Sequence, residues 1–128
     1  MFELIIDFAP VSKKNNRPIY KRGNRPFLGK GKKLVEYEKA AEQVIQWQAA
    51  SMKDLPIEVP VRVVMVHWTP TMKQDITNLG EAPMDILQKV GVIKNDNAKW
   101  VKEVVNKYGG KGARTTICIE AMDESTVG

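Results

Sequence analysis

The stretch KQDITNLGEAPMDILQKVGVIKND, residues 73–96, holds the densest set of groups able to do chemistry. Asp75 stands near its start and Asp96 at its end. Glu81 and Asp85 lie between them, and Lys73 and Lys94 flank the outer acids. Carboxylate oxygens are the hard ligands that magnesium takes, and an ammonium beside them opposes charge developing on a phosphoryl oxygen. Spacing alone also allows a plainer reading, with Asp75 as a helix N-cap and Asp96 as a turn residue. A straight helix of about fifteen residues is ~22 Å long, so the outer acids meet only if the chain after Gly91 folds back.

The elements that must position these groups are legible from periodicity. Ile76, Leu79, Pro83, Ile86, Leu87 and Val90 fall on one helical face, with Asp75 at the N-cap position and Gly91 at C′. Pro83 would clash with the preceding turn of a continuous helix, so either the helix kinks or its regular part starts near Ala82 after a tight turn. A second helix is expected over about 33–53, from Leu34, Tyr37, Ala41, Val44, Ile45 and Gln48. Strands are expected at FELIIDF (2–8), IEVPVRVVMVHW (57–68), KWVKEVVNKY (99–108) and RTTICIEAM (114–122). The last two should pair as a hairpin around GGKGA, and the tail DESTVG should fray. Residues 10–32 read as a long loop or a loose hairpin. The order β-loop-α-β-α-β-β predicts an α/β (α+β) fold, with helices packed on a small mixed sheet, as a single domain over 1–128.

The chain has 128 residues and a net charge of +5, 43% of it hydrophobic, which suits one core rather than two. The charge is one-sided. Lys13, Lys14, Arg17, Lys21, Arg22, Arg25, Lys30, Lys32 and Lys33 fall between Pro10 and Val35 with no acid among them, and the rest of the chain is net acidic. Such a block meets a polyanion, with phosphate contacts its commonest use, or is simply a solvated loop. Asn15 and Asn16 add neutral hydrogen-bonding groups to it, and Tyr20 and Phe27 could stack on bases or pack beneath the loop. No run of 18 apolar residues crosses a membrane, and the N-terminus reads as a strand rather than a signal peptide. Cys118 is expected as a buried, reduced thiol, which points to the cytoplasm. His67, the lone histidine, argues against structural zinc and reads as structural or site-facing. Trp47, Trp68 and Trp100 are expected in the core or a dimer interface.

The segment DITNL…MDILQKVGVIKND resembles the RusA family of Holliday junction resolvases. That family shows D-x-D-N-L, a lysine two residues after the leucine, D-A-L, and then G-[VF]-[IW]-x-D-D. PVSKKNNRPIY, the basic loop and the helix containing YEKAAEQVI are similar to the family's opening segments in the same order. Asp75, Asn78, Leu79, Asp85 and Asp96 match the pattern. Thr77 replaces the second acid of D-x-D, Glu81 the lysine, and Asn95 the first acid of D-D.

The resemblance implies a Mg2+-dependent (Mn2+ possible) endodeoxyribonuclease that resolves four-way junctions by paired phosphodiester hydrolysis, leaving 5′-phosphate and 3′-hydroxyl ends. It also implies a homodimer on branched DNA, roles in recombination and repair, and a bacterial or phage-infected host cell. On this reading Asp75, Asp96 and Glu81 hold the metal, Lys73 (or Lys94) supplies the cation, and Thr77, Asn78 and Asp85 adjoin them. The basic residues 13–33, with Asn15 and Asn16, would hold DNA. No membrane and no small-molecule cofactor enter. The alternative is a weakly active or inactive junction-binding protein of the same fold.

Overall fold

The computed structural model describes residues 2–13, 19–22, 25–28 and 31–122; over 19–28 only the strand pairing is described. Four strands make the main sheet: β1 (Phe2–Ile6), β4 (Val61–Thr69), β5 (Val101–Lys111) and β6 (Arg114–Ala121), in the order β1-β6-β4-β5. β6 runs antiparallel to both neighbours, and β4 and β5 are parallel. β2 (Ile19–Arg22) and β3 (Arg25–Leu28) pair as a separate antiparallel hairpin, so residues 10–32 contain the loose hairpin rather than an unbroken loop.

The main sheet is mixed, and helices pack on it as the element order predicts. β4 alternates strictly: Val61, Val63, Met65, His67 and Thr69 are buried, and the residues between them are half-buried. The buried row faces helix α1 (Lys32–Ala49) and helix α3 (Glu81–Val90), and the core closes between them around Leu4, Ile6, Leu34, Ile45, Leu87 and Ile117. α1 forms because Leu34, Tyr37, Ala41, Ile45 and Ala49 recur at helical spacing, and all five are buried. Its Gln48 clamps edge strand β1: Ile5 N–H donates to Gln48 Oε1 at 2.9 Å, and Gln48 Nε2 donates to Ile5 C=O at 2.7 Å. That occupies backbone groups an edge strand otherwise leaves open to another chain.

Two expectations are corrected, and two open alternatives are narrowed. First, β5 and β6 do not form a hairpin, because β4 lies between them. The glycines read as their turn serve a packing need instead. A Cβ on Gly109 would fall 2.4 Å from the Trp68 ring, and β5 runs on to Lys111. The chain then crosses the end of β4, where Gly112 N–H donates to Thr69 C=O at 3.0 Å. Of the two forms open for the segment after Asp75, the structure has the regular helix starting after a tight turn rather than one kinked helix. A single turn, α2 (Ile76–Leu79), ends at Gly80, and α3 starts at Glu81, which puts Pro83 in a first turn where its missing N–H costs little. The second correction is Cys118, which is only half-buried, on the sheet face opposite the helices, and Trp47, at 81% exposed, lies outside the core, which leaves its dimer-interface alternative.

No described helix is long and apolar enough to cross a membrane.

Candidate active site

α3 ends at Gly91, whose φ of 89° is the left-handed conformation that only glycine adopts without strain. The chain then turns back, as a shared site requires. Ile57 N–H donates to Val92 C=O at 3.0 Å, and Ile93 bridges Ile57 in the segment before β4. Two Asx turns build the loop that follows. Asn95 Oδ1 accepts from Asn97 N–H, and Asn97 Oδ1 accepts from Lys99 N–H, both at 3.1 Å. Asn95, standing where the resembling family has an acid, is therefore used to shape the turn that carries Asp96.

Asp96 reaches an open cleft of ≈ 460 Å³. Its lining includes Glu81 and Asp85, one turn apart on α3, with Thr77 and Gly80 above them and Asn106 of β5 on the floor. Lys13, next to the hairpin segment, also lines it and forms an ion pair with Asp85. With its side chain only 13% exposed, Lys13 is held at the cleft wall rather than free in solvent.

Asp75 does not line the cleft. It caps α2: Oδ1 accepts from Thr77 N–H at 3.3 Å and from Thr77 Oγ1–H at 2.9 Å, and Oδ2 accepts from Asn78 Nδ2 at 3.2 Å. Thr77 and Asn78 thus both serve Asp75, and the break at Gly80 turns Asn78 away from the face shared by Glu81 and Asp85. A carboxylate offers about four lone-pair sites. Three are used here, so about one remains. Lys73 is exposed and does not line the cleft, and Lys94 is drawn outward to Glu58 at 3.6 Å and over the Trp100 ring at 5.1 Å. Among the described residues, the cation that lines the cleft is Lys13.

Among the basic residues singled out from the sequence, Lys14, Asn15, Asn16, Arg17 and Lys30 lie outside the described residues, and the side chains of Lys21, Arg22 and Arg25 are not described. Lys32 and Lys33 are exposed in the first turn of α1, which has no acid and no side-chain cap. A helix N-terminus disfavours cations, and among the described residues the only offset for either is the exposed pair of Lys32 with Glu36 at 4.0 Å, one turn along the helix.

The hard-oxygen donors suit a magnesium ion in part. Among the described residues no three acidic, histidine or cysteine side chains converge as a ready metal cluster. Magnesium, however, is commonly bound through one or two carboxylates while keeping several waters. Glu81 and Asp96 supply those two at one cleft, and Asp75 is bonded to Thr77, another residue of the lining.

Two residues, Asn106 and Gly80, escaped the sequence reading, whereas His67 is the histidine that reads as structural or site-facing. His67 is fully buried and bridges strands, Nδ1 lying 3.0 Å from Thr115 Oγ1 and Nε2 2.9 Å from Asn106 Oδ1. Burial lowers its pKa, partly countered by the Asn106 bond, so the ring is held neutral. Gly80 belongs with Asn106, since a Cβ there would sit 2.4 Å from Asn106 Oδ1. Polar residues on the inward rows of β4 and β5 were the available signal.

A small α+β protein with carboxylates and a lysine gathered at one cleft has the makings of an enzyme acting on phosphate esters. The chain belongs to the RusA family: the family model described as endodeoxyribonuclease RusA matches residues 7–120, from just beyond β1 to near the end of β6. Holliday junction resolution is the activity this family suggests. Among curated proteins, none matches the chain.

Proposed function

We propose that this protein is a magnesium-dependent, structure-selective endonuclease that nicks four-way DNA junctions in pairs as a homodimer. The observation that carries the reading is the cleft at which Glu81, Asp85, Asp96 and Lys13 meet, within a chain of the RusA family. Glu81 and Asp96 would hold the metal, with Asp75, bonded to Thr77 of the lining, as a further candidate ligand. The bound ion supplies polarisation of the scissile phosphate and a nucleophilic water at neutral pH.

The protein's own groups do the rest. Lys13 offsets the negative charge of Asp85, which lowers repulsion of an incoming phosphate, and it stands where positive charge can meet a phosphate oxygen. This role takes the place of the lysine expected at position 81. Lys32 and Lys33, with the basic residues of the 13–33 block, hold the backbone of the arms by contacts that read charge rather than sequence. Two symmetric nicks need two related sites, which a C2 dimer provides.

A second reading has its own observation. Asp75 is spent on its helix cap and Asp85 on Lys13, which favours a junction-binding protein with weak metal affinity. One assay separates the two: a synthetic four-way junction and a linear duplex of the same sequence, each with and without Mg2+ or Mn2+. Metal-dependent nicking of the junction alone supports the endonuclease. Tight junction binding without nicking supports the second reading. Equal affinity for both DNAs rejects both.

A further inference from the structure

Asn106 enters the cleft from the sheet side, and one end of its amide is already committed. Its Oδ1 lies 2.9 Å from His67 Nε2. A carbonyl oxygen only accepts, so His67 carries its proton on Nε2, and the neutral ring accepts at Nδ1 from the Thr115 hydroxyl at 3.0 Å. β-sheet register supports the relay. Thr115 is directly opposite His67 across β4 and β6, and Asn106 is opposite Met65, one step diagonally along the same face. The relay is fully enclosed at His67, which is 0% exposed. Gly80 lets the helix junction approach so closely that any Cβ would strike Asn106 Oδ1. The other end of the amide, Nδ2, has no partner among the described residues, and Asn106 lines the cleft.

Resting on the nuclease reading above, we infer that Asn106 donates an Nδ2–H hydrogen bond to a non-bridging oxygen of the bound phosphodiester, and that His67 is the positioning residue that fixes this donor. The logic is electrostatic. A cleft lined by Glu81, Asp85 and Asp96 repels a phosphate, and donors fixed before binding offset that repulsion without reorganising. A buried neutral imidazole locked between two partners holds the amide plane. Without it the amide could rotate and present oxygen to an anionic substrate.

Two measurements test this, and they separate its failure from failure of the nuclease reading. The first needs no cleavage. The Asn106 side-chain NH2 resonance is identified by its loss in Asn106→Ala, and four-way junction is added with Ca2+ in place of Mg2+. A shift of that resonance on saturation is expected; an unmoved resonance in junction-bound protein overturns the inference, and so does a failure to bind junction at all.

The second is single-turnover nicking in Mg2+. Asn106→Asp keeps the acceptor for His67 but replaces the donor with an oxygen, and should slow nicking roughly 100-fold. Retained or faster nicking by that variant would mean that position 106 serves a cation, and would overturn the inference. His67→Gln, which can still donate near the Nε2 position, should stay within about 5-fold of the parent protein, whereas His67→Asn should lose about as much as Asn106→Ala and add nothing to it in the double variant. An additive loss would make His67 merely structural. If the parent protein nicks nothing, the nuclease reading fails, and the resonance measurement alone decides whether Asn106 meets phosphate.

Discussion

Asp75 and Asp96 differ in what they have left to offer. Asp96 projects into the cleft from an Asx-turn loop, whereas Asp75 already accepts from Thr77 twice and from Asn78 once. Thr77 is therefore more than a missing acid: its hydroxyl consumes one lone pair of the acid beside it. Thr77→Asp would replace that donor with a carboxylate on the cleft wall, and ligand charge count raises divalent affinity. We expect Mn2+ to bind about 10-fold tighter to Thr77→Asp by titration calorimetry; unchanged or weaker binding would place the metal away from Thr77. His67 carries a separate expectation. Its pKa is lowered by burial in the folded state, so below the ordinary value of 6.5 the unfolded chain binds more protons than the native one. Stability should therefore be fully present above that value and fall as pH drops through it, and His67→Gln should remove this part of the slope in urea melts between pH 5 and 8. An unchanged slope would assign acid sensitivity to other groups.

At the scale of elements, the break at Gly80 decides which side chains share a site. Its φ of −83° and ψ of −14° suit any residue, so the glycine is required by approach rather than by conformation. Gly80→Ala would press on Asn106 Oδ1, which His67 holds in place, and on Met65 Cε at 2.9 Å. Overpacking of this kind costs about 1–3 kcal/mol, which urea denaturation would read as a lower midpoint; an unchanged midpoint would show that the α2–α3 junction yields freely. The helices were legible because Leu34, Tyr37, Ala41 and Ile45, and then Ile86 and Leu87, follow a period that local sequence sets. The β5–β6 pairing was not. GGKGA carries the local signature of a turn, but Gly109 is small because Trp68 of β4 lies against it, a demand made by a residue about forty positions away. The site was half legible for the same reason. Asp96, Glu81 and Asp85 sit within one quoted stretch, while Lys13 and Asn106 reach the cleft through the tertiary fold, with His67 buried and bonded to Asn106.

Over the whole molecule, charge is divided between a cleft lined by three acids and a basic block in the sequence whose Lys13 lines that cleft and whose Lys32 and Lys33 open α1. Each lysine that neutralises a phosphate releases counterions, so the log of junction affinity should fall linearly with log salt. Replacing both Lys32 and Lys33 by Gln should reduce the magnitude of that slope by about 2 and weaken junction and duplex alike. An unchanged slope would show that these lysines face solvent without touching DNA.

The account rests on Asp96 and its cleft being the place where a phosphodiester is cut. Single-turnover nicking of an end-labelled four-way junction in Mg2+, with the parent protein and with Asp96→Asn, tests that most directly. The expected result is paired nicks at symmetric positions in two opposed strands, lost by about 1,000-fold or more in Asp96→Asn while junction binding in Ca2+ persists. Nicking that survives Asp96→Asn, or no nicking by the parent protein in either Mg2+ or Mn2+, would contradict it.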